Sequence, residues 1–98
     1  MNRISIITIC YNNKTELVNT LDSIDSQSLR PYEHWIIDGS TNSDINDYLN
    51  SSPQASYRYW VFERDKGISD AFNKGIHHCK GEIIQFLNSG DRLYSSSV

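Results

Sequence analysis

Four short polar segments hold most of the side chains able to do chemistry: Tyr11-Asn12-Asn13, Asp38-Gly39-Ser40-Thr41, Glu63-Arg64-Asp65-Lys66-Gly67 and Asn88-Ser89-Gly90-Asp91. Three of them carry a carboxylate together with a glycine. Glycine lets backbone approach a ligand closely, and a carboxylate holds a divalent cation or accepts hydrogen bonds from N–H and O–H groups. Neither G-x-G-x-x-G nor G-x-x-x-x-G-K-[ST] is present, so there is no glycine-rich phosphate cradle. No G-x-S-x-G elbow occurs, and no serine pairs with a credible histidine base. A phosphate ligand would need another neutralising device, and the usual one is a divalent cation held by carboxylate oxygen. Asp91, directly after the apolar run Ile83 to Leu87, stands where such a ligand would project. A turn-forming aspartate after Gly90 is the competing reading.

The elements that must position these segments follow from changes in hydrophobic period. Ile4 to Cys10 (ISIITIC) is rich in β-branched residues and reads as a strand buried on both faces. Asn13 with Glu16 three positions on resembles an N-cap and capping box, and Leu17, Leu21 and Ile24 follow at helical spacing, predicting a helix from Lys14 to about Gln27. His34 to Asp38 is a second strand, and Ile45, Tyr48 and Leu49 mark a short helix ended by Ser51-Ser52-Pro53. Tyr57 to Phe62 is a third strand, aromatic in character. Ile68, Ala71, Phe72, Gly75, Ile76 and Cys79 share one helical face that Gly81 terminates, and Glu82 to Leu87 is a fourth strand. The order β-α-β-α-β-α-β predicts an α/β fold, a Rossmann-like parallel sheet with helices on both faces. Ligands of such sheets bind beyond the carboxyl ends of the strands, where all four polar segments fall.

Bulk properties narrow the partners. The chain has 98 residues, room for one domain, and its 9 basic against 12 acidic side chains give a net charge of −3. Such a balance offers no basic surplus to displace counterions from duplex nucleic acid. No apolar stretch approaches the roughly 20 residues that span a bilayer. The opening Met1-Asn2-Arg3-Ile4-Ser5 lacks a signal-peptide layout. Cys10 and Cys79 stand apart without ligand spacing, pointing to small buried groups in a reducing cytoplasm rather than to zinc. His34, His77 and His78 read as structural or surface residues, the strand aromatics Trp35, Tyr57, Tyr59, Trp60 and Phe62 as core or sheet-face residues, and Lys74 and Lys80 as complements to a helix dipole. No helix follows the last strand, so its exposure and self-association of the chain are expected, as is a longer parent protein.

Five segments in order carry a family resemblance: Ser5 to Asn12, Thr20 to Gln27, Ile37 to Thr41, Asp65 to Gly75 and Gly81 to Asp91. Together they resemble the opening of family 2 glycosyltransferases over nearly all of residues 4 to 94. The resemblance implies the GT-A fold, with residues 1–98 as its nucleotide-sugar-binding portion, ending before the acceptor-binding half. It implies transfer of a sugar, with inversion, from a nucleotide donor, UDP being the usual leaving group, to a saccharide or lipid-linked acceptor. Cytoplasmic polysaccharide or glycoconjugate assembly, peripheral to a membrane where acceptors are lipid-linked, goes with it.

Carried over by position, Thr8 to Asn12, Tyr11 included, form the floor beneath the base. Asp38 contacts base or ribose, Asp70 faces the nucleoside, and Asp65 and Lys66 lie in the donor pocket. Asp91 becomes the metal ligand for Mg²⁺ or Mn²⁺ against the donor diphosphate. The family commonly has two acids where Gly90-Asp91 stands, and Asp-Asp-Gly-Ser where Ile37-Asp38-Gly39-Ser40 stands. Its general base lies well downstream of the metal motif, beyond Val98, so the chain alone is expected to be inactive. The rival reading is a non-catalytic nucleotide-binding module or truncated pseudoenzyme. An acidic-pocket domain of the response-regulator kind is disfavoured, because Tyr11-Asn12-Asn13 replaces the acidic pair it needs after the first strand.

Overall fold

The computed structural model describes residues 3–27, 30–64 and 67–88, without the side chains of Ile68 and Ser69. Its elements are β1 (Ile4–Cys10), α1 (Lys14–Asp25), β2 (Glu33–Asp38), α2 (Asp44–Ser51), β3 (Arg58–Phe62), α3 (Ile68–His78) and β4 (Ile83–Phe86). The four strands are parallel in the order β3-β2-β1-β4, so the expected architecture is present. Strand pairing moves outward from β1 through β2 to β3, then returns to the opposite edge of β1. The order of connection therefore reverses between β1 and β4, which makes a topological switch point there.

Helices cover both faces because alternate residues of the central strands are apolar on each. On one face Cys10 and Ile36 pack with Leu17 and Leu21 of α1 and Ile45 and Leu49 of α2. On the other, Ile7 and Ile37 pack against Ala71 of α3, with Phe72 and Val61 beside them. The central strands accordingly read as continuous apolar runs. The edges behave differently. Tyr59 and Phe62 of β3 are 47% and 42% exposed, and Ile83 and Phe86 of β4 are 43% and 47% exposed. An edge strand has one neighbour, so its large side chains are only half covered. Ile76, placed by period on the inward face of α3, is also exposed among the described residues.

Two local features depart from the sequence expectations. Asn13 makes no side-chain cap to α1; its Oδ1 instead accepts from the backbone N–H of Tyr11 at 2.9 Å, closing a turn before the helix begins. Lys74 does not serve the C-terminal end of α3. Helical side chains lean toward the N-terminus, and its Nζ reaches Glu63 Oε1 at 2.9 Å, Asp70 Oδ2 at 3.5 Å and the Arg64 carbonyl at 2.8 Å. It thereby ties the β3–α3 connection to the helix.

The turn from α3 into β4 is held by a buried carboxylate. Glu33 Oε2 accepts from Ser5 Oγ at 2.6 Å, from Gly81 N at 3.2 Å and from the backbone N–H of Lys80, while Oε1 accepts from Trp35 Nε1 at 2.9 Å. Four donors on one carboxylate satisfy a group that burial would otherwise penalise. His78 stacks on the same Trp35, 4.5 Å between ring centroids, and Tyr59 covers the indole at 4.9 Å.

Gly75 sets the distance between α3 and β1. A Cβ there would lie 2.5 Å from Ile7 Cγ2 and 2.9 Å from Ile7 Cδ1, and Ile7 is fully buried. Glycine costs a helix interior about 1 kcal/mol relative to alanine, but overpacking a stiff β-branched neighbour costs typically 1–3 kcal/mol. The second effect wins. Gly75→Ala should lower stability by about 1 kcal/mol, and Gly75→Val by more, since the added volume brings no propensity gain. Urea denaturation checks this; a stabilised Gly75→Ala protein would mean that the helix can lift off β1 without cost.

Candidate functional site

The carboxyl ends of β1, β2 and β3 form one rim. Gly39 N donates to the Cys10 carbonyl at 3.1 Å and Glu63 N to the Asp38 carbonyl at 2.9 Å, carrying the parallel ladder one step past each strand. The side chain of Asp38 is buried, and its Oδ1 accepts from Ser40 N at 3.0 Å. An ionised carboxylate only accepts hydrogen bonds, so this group suits N–H or O–H donors of a ligand rather than phosphate oxygens.

Tyr11 and Asn12 follow β1 at the same level. The Tyr11 ring is 59% exposed, an unusual display for so large a side chain beside a core strand. Asn12 has φ of +52°, the left-handed region that asparagine tolerates better than most residues. Its backbone N–H donates to Ser40 Oγ at 2.8 Å, its Nδ2 donates to Thr41 Oγ1 at 2.9 Å, and its Oδ1 accepts from Thr41 N at 3.0 Å. The β1–α1 and β2–α2 connections are thus clasped together across 29 residues of sequence. Nothing in local pattern announces this contact, although polar Ser40-Thr41 after a strand end is its only signal.

Beyond β3, Asp70 sits half-buried on the first turn of α3, bonded to Lys74 beside Glu63. Asp38 and Asp70 therefore occupy the same end of the sheet, Asp38 on the strand and Asp70 in the helix layer over the opposite face from α1 and α2. Arg64 is exposed on the connection between them. Asp65, Lys66 and Asp91 lie outside the described residues. Among the described residues, no three of His, Cys, Asp or Glu are grouped to hold a metal ion.

Thr8 is the predicted site residue that the structure places elsewhere. It is fully buried below the rim, and Oγ1 lies 2.8 Å from His34 Nε2. Its place in β1 explains this, since the strand is enclosed on both faces. His34 Nδ1 accepts from Arg58 Nε at 3.1 Å, so Nε2 carries the imidazole proton and donates it to Thr8. Arg58 continues to Asp25, NH2 to Oδ1 at 2.6 Å and NH1 to Oδ2 at 3.2 Å, and NH1 also meets Gln54 Oε1 at 2.9 Å. The hydroxyl of Tyr57 donates to Asp25 as well.

The model of Glycosyl transferase family 2 matches residues 5–95. The chain belongs to that family. It is 38% identical over 96 residues to an uncharacterized glycosyltransferase of Mycobacterium tuberculosis, covering 97% of this chain and 36% of that protein. A PGL/p-HBAD biosynthesis glycosyltransferase of Mycobacterium bovis is 31% identical over 96 residues, 96% of this chain and 38% of its own length. This family 2 chain therefore spans little more than a third of those curated relatives. Among solved structures, the mannosyltransferase PcManGT from Pyrobaculum calidifontis in complex with GDP-Man and Mn²⁺ matches with a TM-score of 0.82 at 22% identity, over 98% of this chain and 30% of that one. S. aureus TarS 1–349 matches at 0.72 and 21% identity, over 92% and 28%. These likenesses establish the GT-A, Rossmann-like fold. No helix among the described residues is long and apolar enough to cross a membrane.

The buried network beneath the rim makes stability depend on pH. Burial, aided by the Arg58 charge and opposed by Asp25, pushes the His34 imidazole from 6.5 down to about 3. Burial raises Asp25, but hydrogen bonds from Arg58 and Tyr57 outweigh it and leave the carboxyl below its ordinary range. On acidification the unfolded chain takes up the His34 proton near pH 6.5, and the folded chain only near 3, so stability falls as pH drops through that window. Loss of the Asp25 contribution follows at lower pH. Urea denaturation between about pH 8 and pH 4 should show a decline of at most about 1.4 kcal/mol per pH unit from this one proton. His34→Gln, which keeps a donor and an acceptor, should flatten it; an undiminished slope would assign the acid sensitivity to another group.

Proposed function

We propose that this chain is the donor-binding part of a glycosyltransferase that moves a sugar, with inversion, from a nucleoside diphosphate donor to an acceptor hydroxyl in polysaccharide or glycoconjugate assembly. The observation that carries the reading is the rim at the switch point. Tyr11 and Asn12 follow β1, the segment toward Asp91 follows β4, and the order of strands reverses between them. Family membership supports the reaction class, and the GDP-Man and Mn²⁺ in PcManGT support a nucleotide sugar and a divalent cation as the ligands.

In this reading Asp38 accepts hydrogen bonds from the base or ribose, held toward them by Ser40 N, and the exposed Tyr11 ring forms the floor with Asn12. Thr8 lies in the strand that leads into that floor, anchored to His34 of β2. Asp70 lines the side of the pocket at the start of α3, where Lys74 keeps the connection against the helix, and Asp65 and Lys66 are assigned to the same donor pocket. Asp91 is assigned as the single protein ligand of Mg²⁺ or Mn²⁺, an ion that retains waters and takes further oxygens from phosphate. Such a cation supplies Lewis-acid stabilisation of charge on the departing diphosphate. The general base that deprotonates the acceptor, and the acceptor-binding half, are assigned to sequence beyond these 98 residues. UDP is the nucleotide expected from the family resemblance, GDP the one in PcManGT.

Titration calorimetry with UDP and with GDP, each with and without Mn²⁺, tests the proposal. Binding of one nucleotide should depend on Mn²⁺, and Asp91→Ala should abolish that dependence. Asp38→Asn should weaken binding about tenfold or more, roughly 1.4 kcal/mol, with the melting temperature recorded to separate this from unfolding. Failure to bind either nucleotide, or binding indifferent to both substitutions, overturns it.

A further inference from the structure

The amide of Asn12 is exposed, yet it holds the neighbouring loop with one of its two N–H donors and with its oxygen. Its Nδ2 donates to Thr41 Oγ1 at 2.9 Å and its Oδ1 accepts from Thr41 N at 3.0 Å, a reciprocal pair that leaves the amide face turned toward the neighbouring loop. The backbone N–H of the same residue holds Ser40 Oγ at 2.8 Å, and Ser40 N in turn holds Asp38 Oδ1 at 3.0 Å. One step earlier, Tyr11 N is fixed by Asn13 Oδ1 at 2.9 Å. The residue that presents the exposed ring and the residue that presents the buried carboxylate are thereby connected through Asn12.

We propose that the Asn12 side chain is a positioning group for the nucleotide: while the backbone of Asn12 forms part of the floor and holds Ser40, its amide clasps Thr41, so that Asp38 and Tyr11 meet the nucleoside at one fixed separation. This rests on the donor-binding reading above. A left-handed φ alone would be served by glycine at lower strain, so backbone conformation does not account for an asparagine here. The amide, which places an N–H donor and an acceptor oxygen side by side opposite a hydroxyl and a backbone N–H, does. Two loops held in the productive arrangement before ligand arrives need not be ordered at the moment of binding, and that cost is what a clasp removes.

The test uses the whole chain and Mn²⁺ with UDP or GDP, whichever the unaltered protein binds. Asn12→Gly keeps the left-handed backbone and the N–H to Ser40 Oγ and deletes the amide pair with Thr41; Thr41→Val removes its hydroxyl. Asn12→Gly should weaken nucleotide binding by about tenfold while the melting temperature stays nearly constant. Thr41→Val should weaken it less, and the double variant should bind no worse than Asn12→Gly, because both remove one shared contact. The amide signals of Ser40 and Asp38 should shift in ¹H–¹⁵N spectra of Asn12→Gly before any nucleotide is added. Unchanged affinity in Asn12→Gly overturns the proposal and leaves the donor reading standing. Additive losses would place Asn12 against the ligand and also overturn it, as would affinity lost only in step with melting. If the unaltered chain binds neither nucleotide, the donor reading falls and this inference with it.

Discussion

β1 has a paired strand on each edge and a helix layer on each face, and it is the strand on which the other elements are assembled. Five of its seven positions are buried and the other two partly so, and each buried side chain must be apolar or must find a partner inside. Ile6, Ile7 and Cys10 take the first course. Ser5 and Thr8 take the second, through Glu33 and His34 of β2. Those two hydroxyls explain why a strand as central as β2 opens with a glutamate and a histidine. The same enclosure fixes α3, because Ile7 leaves room only for a glycine at position 75.

The partners recruited by β1 have requirements of their own, and these propagate outward. A buried neutral imidazole needs a donor at one nitrogen and an acceptor at the other. Arg58 supplies the donor from β3, and three of its remaining guanidinium N–H groups go to Asp25 and Gln54. Glu33 needs donors on both oxygens and takes them from Ser5, Trp35 and the backbone of the α3–β4 turn. Two polar clusters thus sit within the sheet, well below the rim, and they link β1, β2 and β3 with the end of α1 and with the turn between α3 and β4. Satisfied clusters of this kind specify one register, since a one-residue slip would leave buried charges facing apolar side chains.

How legible this was depends on the range of the interaction. Element type and order follow from periodicity; Ile4–Cys10 coincides with its predicted bounds, as do the start of α1 and the ends of β2 and β3, while the end of α1, the starts of β2 and β3 and both ends of β4 differ by one or two residues. Local features are less secure wherever a longer-range partner competes. Asn13 has the residue type of an N-cap, yet Tyr11 N takes its oxygen; Lys74 has the place of a dipole complement, yet Glu63 and Arg64 draw it back. The exposure of Tyr59 and Phe62 depends on which strands form the edges, and an alternating pattern carries no information about strand order. For the site, the sequence located the rim and nominated Asp38 and Asp70 at it. It could not see that Thr8 turns inward to His34, or that Asn12 and Thr41 meet across 29 residues.

The separation between the interior clusters and the rim has a consequence for how the site is held. Loops after strands in an open sheet are exposed to water and inherit order only from where the strands end. Here each of the first two loops gains order from the other: Gly39 N reaches back to Cys10, Ser40 and Thr41 reach Asn12, and Glu63 N reaches Asp38. The rim is therefore a continuation of the sheet's hydrogen bonding in side-chain and turn form. Its precision is set by the same register that the Glu33 and Arg58 clusters enforce from below. A substitution that loosened that register would displace Asp38 relative to Tyr11 even from the far end of the strands, so affinity at the rim and stability of the interior are coupled through β1 and β2 rather than through any direct contact.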